Sequence, residues 1–142
     1  KDPAYLKQSE GIADFFLNLP NMPEDFVPYW DMKAPGVDGL QSHVAVDSVP
    51  RDASAAALIA SGLYELCTYI TPEKGKRYKS IADKIVGNLG RHYQAEPGTH
   101  YGFLLLHSTG HHPGGSEIDV PLNYADYFYL EALARKEALD NQ

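Results

Sequence analysis

The sequence predicts an all-α protein. Four segments repeat apolar residues at helical spacing behind recognisable caps. Two long connections between them are punctuated by proline and glycine. Hardly any stretch alternates apolar and polar residues as a half-buried strand would.

The first helix is expected from about Pro3 to Leu19, with Asp2 as its cap and Pro3 in its first turn. Tyr5, Ile12, Phe16 and Leu19 recur along one face and are expected to be buried; Pro20 ends the helix. Residues 20–51 carry Pro20, Pro23, Pro28, Pro35 and Pro50 with Gly36 and Gly39, so they form a long loop. Phe26, Tyr29 and Trp30 argue that this loop is ordered. The second helix starts near Asp52, with Asp52 or Ser54 as cap. Its run of Ala, Ser and Gly on most faces fits a buried helix that neighbours approach closely. In TPEKG, Thr71 can cap the third helix, Pro72 can be its first residue, and Glu73 suits its first turn. Tyr78, Ile81, Ala82, Ile85, Val86 and Leu89 form its apolar face, and fraying is expected from Gly90 to Glu96. YGFLLLHS reads as a short extended run and the residues after it as loop. The last helix is expected from about Tyr124 to Ala138, its tyrosines mostly in the core beside Phe128, Leu130 and Leu133. The second and third helices should form a hairpin. The two long loops fall on alternate connections, which would bring them to one end of the stacked helices.

At 142 residues the length suits one domain, and 44% hydrophobic residues suffice for a core. A formal net charge of −7 without a basic cluster argues against nucleic-acid binding. No apolar run is long enough to cross a bilayer, and no signal peptide is visible. The chain begins at Lys1, which points to a removed N-terminus. The one cysteine, Cys67, reads as a buried small apolar residue and not as a nucleophile. Ten Tyr, five Phe and one Trp suit either a polar-ligand groove or wet helix interfaces.

Several local patterns together resemble one family. FLNLPNMPEDFVPYWDM (Phe16 to Met32), RDASAAALIASGLYEL (Arg51 to Leu66) and LLLHSTGHHPGGSEIDVPLNYADYFYLEALAR (Leu104 to Arg135), with YLKQSEGIADFF before them, are similar to the C-terminal part of unsaturated glucuronyl hydrolases, glycoside hydrolase family 88. The resemblance covers about residues 2 to 136. It implies that residues 1–142 are the C-terminal fragment of a single (α/α)6 barrel, four helices in two hairpins, with apolar faces left without neighbours. Self-association through those faces is then expected. It implies a substrate as well: oligosaccharides from polysaccharide lyases that carry a 4,5-unsaturated uronic acid. In such enzymes an Asp protonates C4 and activates a water that adds at C5, and the hemiketal opens to release the aglycone. The carboxyl group must hold and release a proton near neutrality. No metal or cofactor is implied. The family's principal aspartates belong to the N-terminal part, so the resemblance gives this chain no catalytic residue and implies that the chain alone is inactive. The compartment stays open between bacterial periplasm and cytoplasm. The related unsaturated rhamnogalacturonyl hydrolases, or a non-catalytic helical binding module, are the alternatives.

HSTGHHPGGSEIDVP concentrates His107, His111 and His112. A metal site would want ligands at fixed spacing, but Gly110 and Pro113 argue against a helix there and no HExxH pattern is present. His111 and His112 suit a cleft edge contacting sugar, whereas His107 more readily satisfies loop carbonyls. Glu117 and Asp119, two apart in a loop, read as turn chemistry before acid–base chemistry. Trp30 can offer a platform for a sugar ring; anchoring the loop is the preferred reading. Asp52 reads as a cap, and Arg51 as an attraction for an acidic substrate.

Overall fold

The computed structural model describes residues 2–34, 37 and 49–141. Pro35, Gly36 and Gly39 of the first long loop lie outside the described residues. Four α-helices carry the fold: α1 (Pro3–Leu17), α2 (Ala53–Leu66), α3 (Pro72–His92) and α4 (Asn123–Asp140). Short 3₁₀ turns occupy His100–Gly102 and His112–Gly114. Pairing outside the helices is confined, among the described residues, to isolated bridges such as Gln94 with Leu105 and Ser108 with Val120. The extended run expected near YGFLLLHS is therefore a bridge-pinned loop. The Asp126 carboxylate holds it by accepting from Leu104 N and Leu105 N, both at 2.9 Å.

Local chemistry sets the helix starts. Asp2 accepts from Ala4 N at 2.8 Å, and Asp52 from Ser54 N at 3.0 Å. Thr71 stands at the cap position of α3, but its side chain makes no capping hydrogen bond. That helix continues unbroken to His92, past the expected fraying at Gly90. Leu89 stays fully buried under its last turn and Tyr93 N donates to Leu89 O at 3.0 Å, which keeps the end wound.

α2 is the central helix, packed between α3 and α4. Ala53, Ala56, Ala57 and Ala60 are fully buried on it, and Tyr78, Ala82, Ile85 and Leu89 meet them from α3. The connection between α2 and α3 is tight. Gly75 lies against the Cys67 carbonyl, and an added Cβ would stand 2.6 Å from that oxygen. Cys67 itself is half-buried, less enclosed than its apolar surroundings in sequence suggested. Burial pushes its thiol up, which keeps it protonated.

Polar seams join the helices. Lys74 of α3 pairs with Glu10 and Asp14 of α1, each at 2.8 Å, and Tyr78 OH donates to Asp14 at 2.6 Å. The Tyr64 hydroxyl of α2 donates to Asp83 of α3 at 2.7 Å. Arg135 of α4 pairs with Glu65 and donates to Ser61 O of α2, each at 2.8 Å.

Two apolar faces that helical spacing predicts inside lie outside, while uncovered apolar faces are what the resemblance to part of a barrel implies. Tyr5 and Ile12 of α1 are 76% and 60% exposed; Tyr127 and Leu130 of α4 are 60% and 53% exposed. Only Leu17 of α1 is buried, and α4 buries Ala125, Tyr129 and Ala132 instead of its predicted face. The periodicity was real, but the described residues supply no neighbour for these faces. Between α1 and α2 runs an open groove of about 700 Å³, lined by Tyr5, Ile12, Phe16, Leu58, Ile59 and Tyr69. An apolar surface of this kind marks a contact region in a soluble protein.

Candidate functional site

The N-terminus of α2 organises the candidate site. Both long loops are bonded to it. From the first, Asp52 N donates to Pro28 O at 2.9 Å and Trp30 N to Pro50 O at 3.0 Å. From the second, Ala53 N donates to His107 O at 3.0 Å, Thr109 Oγ1 to Arg51 O at 3.0 Å, and Thr109 N to Asp52 Oδ1 at 3.3 Å. Asp52 thus caps the helix and holds the second loop with the same carboxylate. The expectation that the loops emerge together is met at this end.

The loops touch through rings. Trp30 and His112 stack with centroids 4.2 Å apart and planes 7° from parallel. One indole face is covered by the imidazole. His111, its neighbour in sequence, is exposed and takes a different position. Its Nδ1 lies 3.3 Å from Ser116 Oγ, and its ring rests over Gly114, where an added Cβ would meet it at 2.3 Å. A side chain there would push the exposed imidazole aside. Nε2 of His111 makes no hydrogen bond among the described residues.

Arg51 turns toward the first loop. Its Nε donates to Val27 O at 2.8 Å, its Nη2 pairs with Asp25, and its guanidinium lies 5.1 Å over the Tyr29 ring. Part of its charge is therefore spent on structure, although the side chain keeps some exposure. His107 pairs with Asp119 at 2.7 Å and meets the Tyr93 ring edge-on at 6.0 Å. It contacts a carboxylate, not the loop carbonyls expected for it. His107, Glu117 and Asp119 all have left-handed backbone (φ 63°, 52° and 53°). Such non-glycine positions cost about 1–3 kcal/mol each and need surrounding structure to hold them. The Ser108–Val120 bridge and the Gly110 N to Glu117 O bond at 2.8 Å provide it.

Three residues of the site carry no pattern that marks their role: Asp25, Tyr93 and Thr109. Asp25 accepts from Arg51, from Val27 N at 3.0 Å and from Tyr93 OH at 2.8 Å. Burial chiefly pushes the Tyr93 hydroxyl above the usual tyrosine range; Arg51 opposes this, and the bond to Asp25 adds to it. Tyr93 therefore remains a donor. Thr109 is buried at the hinge of the second loop. A polar residue between elements carries no periodicity, so only its partners reveal its work. Among the described residues no group of three or more His, Cys, Asp or Glu side chains is placed to hold a metal ion.

Two loops thus meet over the N-terminus of α2, bordered by an indole, imidazoles and hydroxyls. No family model matches the chain. It is 40% identical over 139 residues to an unsaturated glucuronyl hydrolase of Formosa agariphila, which covers 97% of this chain and 32% of that protein. The crystal structure of an unsaturated glucuronyl hydrolase specific for heparin superposes with a TM-score of 0.88 at 42% identity, over 99% of this chain and 35% of that one. A mutant unsaturated glucuronyl hydrolase from Streptococcus agalactiae, complexed with dGlcA-GalNAc6S, superposes with a TM-score of 0.72 at 31% identity, over 88% of this chain and 31% of that one. The chain is thus similar throughout to unsaturated glucuronyl hydrolases and has the fold of part of their (α/α)6 barrel. It spans about a third of the length of the relatives it matches.

Proposed function

We propose that this chain is the C-terminal part of an (α/α)6 glycosidase that removes 4,5-unsaturated uronic acid from lyase-generated glycosaminoglycan fragments. The observation that carries the reading is the 40% identity to an unsaturated glucuronyl hydrolase along 97% of the chain. Relatives solved with oligosaccharides, including dGlcA-GalNAc6S and dGlcA-Glc-Rha-Glc, support a uronide as ligand. In this reading the chain supplies one lip of the cleft. His111 presents Nε2 to sugar hydroxyls or to the uronate, His112 and Trp30 form the wall beside it, and Arg51 adds positive charge beneath. Loops on a rigid helical frame are suited to such contacts. Acid–base catalysis at C4 and C5 belongs to aspartates outside this chain, so the chain alone is inactive. The exposed faces of α1 and α4 pack against other barrel helices, and in isolation they promote self-association.

The test is turnover. A longer protein containing this chain should bleach the ultraviolet absorbance of the conjugated enol ether in unsaturated glycosaminoglycan disaccharides, and the 142-residue chain should not. His111→Ala in the longer protein should raise KM more than it lowers kcat. Absence of turnover on every unsaturated uronide would leave the non-catalytic module as the better account.

A further inference from the structure

Asp25 sits in the loop between α1 and α2, five residues before Trp30, and bonds from three parts of the fold converge on it. Its Oδ1 accepts from Val27 N at 3.0 Å and pairs with Arg51 just before α2. Its Oδ2 accepts from Tyr93 OH at 2.8 Å, at the end of α3, and its backbone carbonyl accepts from Asn88 Nδ2 at 3.0 Å. The chain leaving this anchor passes through fully buried Val27 and then Tyr29, which bridges to Arg51, and delivers Trp30 to His112. The other side of the anchor reaches the second loop. The Tyr93 ring that serves Asp25 meets His107 edge-on, and His107 is tied to Asp119.

We propose that Asp25 is a positioning residue: through Arg51 and Tyr93 it sets both loops in register, so that Trp30 and His112 meet as one wall of the mouth. Resting on the functional reading above, this makes Asp25 a determinant of ligand binding that touches no ligand. The chemistry asks for a carboxylate. Both oxygens accept, and one faces a guanidinium, which can only donate. An amide carries no charge, so the ion pair with Arg51 is lost even where the amide nitrogen donates to the Tyr93 hydroxyl.

Trp30 is the only tryptophan of the chain, so its fluorescence reports the stack directly. In the otherwise unchanged protein, His112→Ala removes the stacked ring and shifts Trp30 emission. In the Asp25→Asn background the same substitution should cause little further shift, while far-UV circular dichroism keeps its helical signal. A purely stabilising role for Asp25 would lower the melting temperature and leave the His112→Ala shift intact, and that result overturns the proposal. Should Asp25→Asn not fold, Tyr93→Phe carries the same comparison, because it removes the hydroxyl that joins Asp25 to the second loop. An undiminished His112→Ala shift there overturns the proposal equally. Fluorescence is read without ligand, so failure here is distinct from failure of the uronide reading. In turnover by the longer protein, Asp25→Asn should raise KM more than it lowers kcat.

Discussion

Gly75 is a position where helix propensity and packing predict opposite signs. It is the fourth residue of α3 and is buried. An added Cβ would lie 2.6 Å from the Cys67 carbonyl oxygen, 3.6 Å from its carbon and 3.8 Å from its Cα. All three are backbone atoms at the C-cap of α2, so no side-chain rotation relieves the clash. Propensity alone favours alanine by about 1 kcal/mol. Overpacking costs about 1–3 kcal/mol, and a backbone obstacle places this site in the upper part of that range. The net expectation for Gly75→Ala is a loss of about 1–2 kcal/mol. At this chain length that lowers Tm by about 3–6 °C. Gly11 is the control: it is helical too, with nothing within 4 Å of its added Cβ. Gly11→Ala should raise Tm by up to about 3 °C. Thermal and urea unfolding followed by circular dichroism read both. A Gly75→Ala chain that gains stability alongside Gly11→Ala would refute the close approach of α2 and α3.

Two further outcomes follow from buried polar chemistry. Ser108 Oγ is fully buried and makes no hydrogen bond among the described residues, so Ser108→Ala should raise stability by about 1 kcal/mol in urea titrations; a loss instead would reveal a partner for the hydroxyl. Hydrogen bonds from Lys74 and then Tyr78 hold the Asp14 carboxyl below its usual range. Its contribution is therefore present above about pH 4 and lost as pH falls through the depressed folded value. Tyr78 is pushed up to about 12, first by burial and then by its bond to Asp14, so its contribution is complete below its ordinary value near 10 and lost as pH rises through about 12. Asp14 is 35% exposed, so solvent screens the effect. The Tm difference between the unaltered chain and Asp14→Asn should shrink at both ends of that window, and a difference independent of pH would contradict the pairing.

Local chemistry made much of the fold legible. Asp2 and Asp52 cap the helices they precede, Pro72 opens α3, and the small residues of α2 mark the helix that others approach. The motifs from Phe16, Arg51 and Leu104 onward point to the unsaturated glucuronyl hydrolases, to one of which 97% of the chain is similar at 40% identity. Burial of α1 and α4 divides two expectations: helical spacing predicts covered faces, and the resemblance to part of a barrel implies uncovered ones. Periodicity reports that a helix has an apolar face; it does not report whether anything covers it. Tyr5, Ile12, Tyr127 and Leu130 satisfy the spacing and still face outward.

The candidate site divides along the same line. Residue types in HSTGHHPGGSEIDVP predicted a loop carrying imidazoles, because turn-forming glycines and prolines break a helix there whatever the rest of the chain does. Only the tertiary structure decided their separate work: His112 stacks on Trp30, His111 rests over Gly114, and His107 turns to Asp119. Asp25 and Tyr93 stood out in no pattern, because their partners lie far away along the chain. Caps, turns and helical spacing act over a few residues and can be read from order alone. The meeting of Trp30 with His112 depends on how α2 seats between α3 and α4, and that packing brings distant residues within bonding reach.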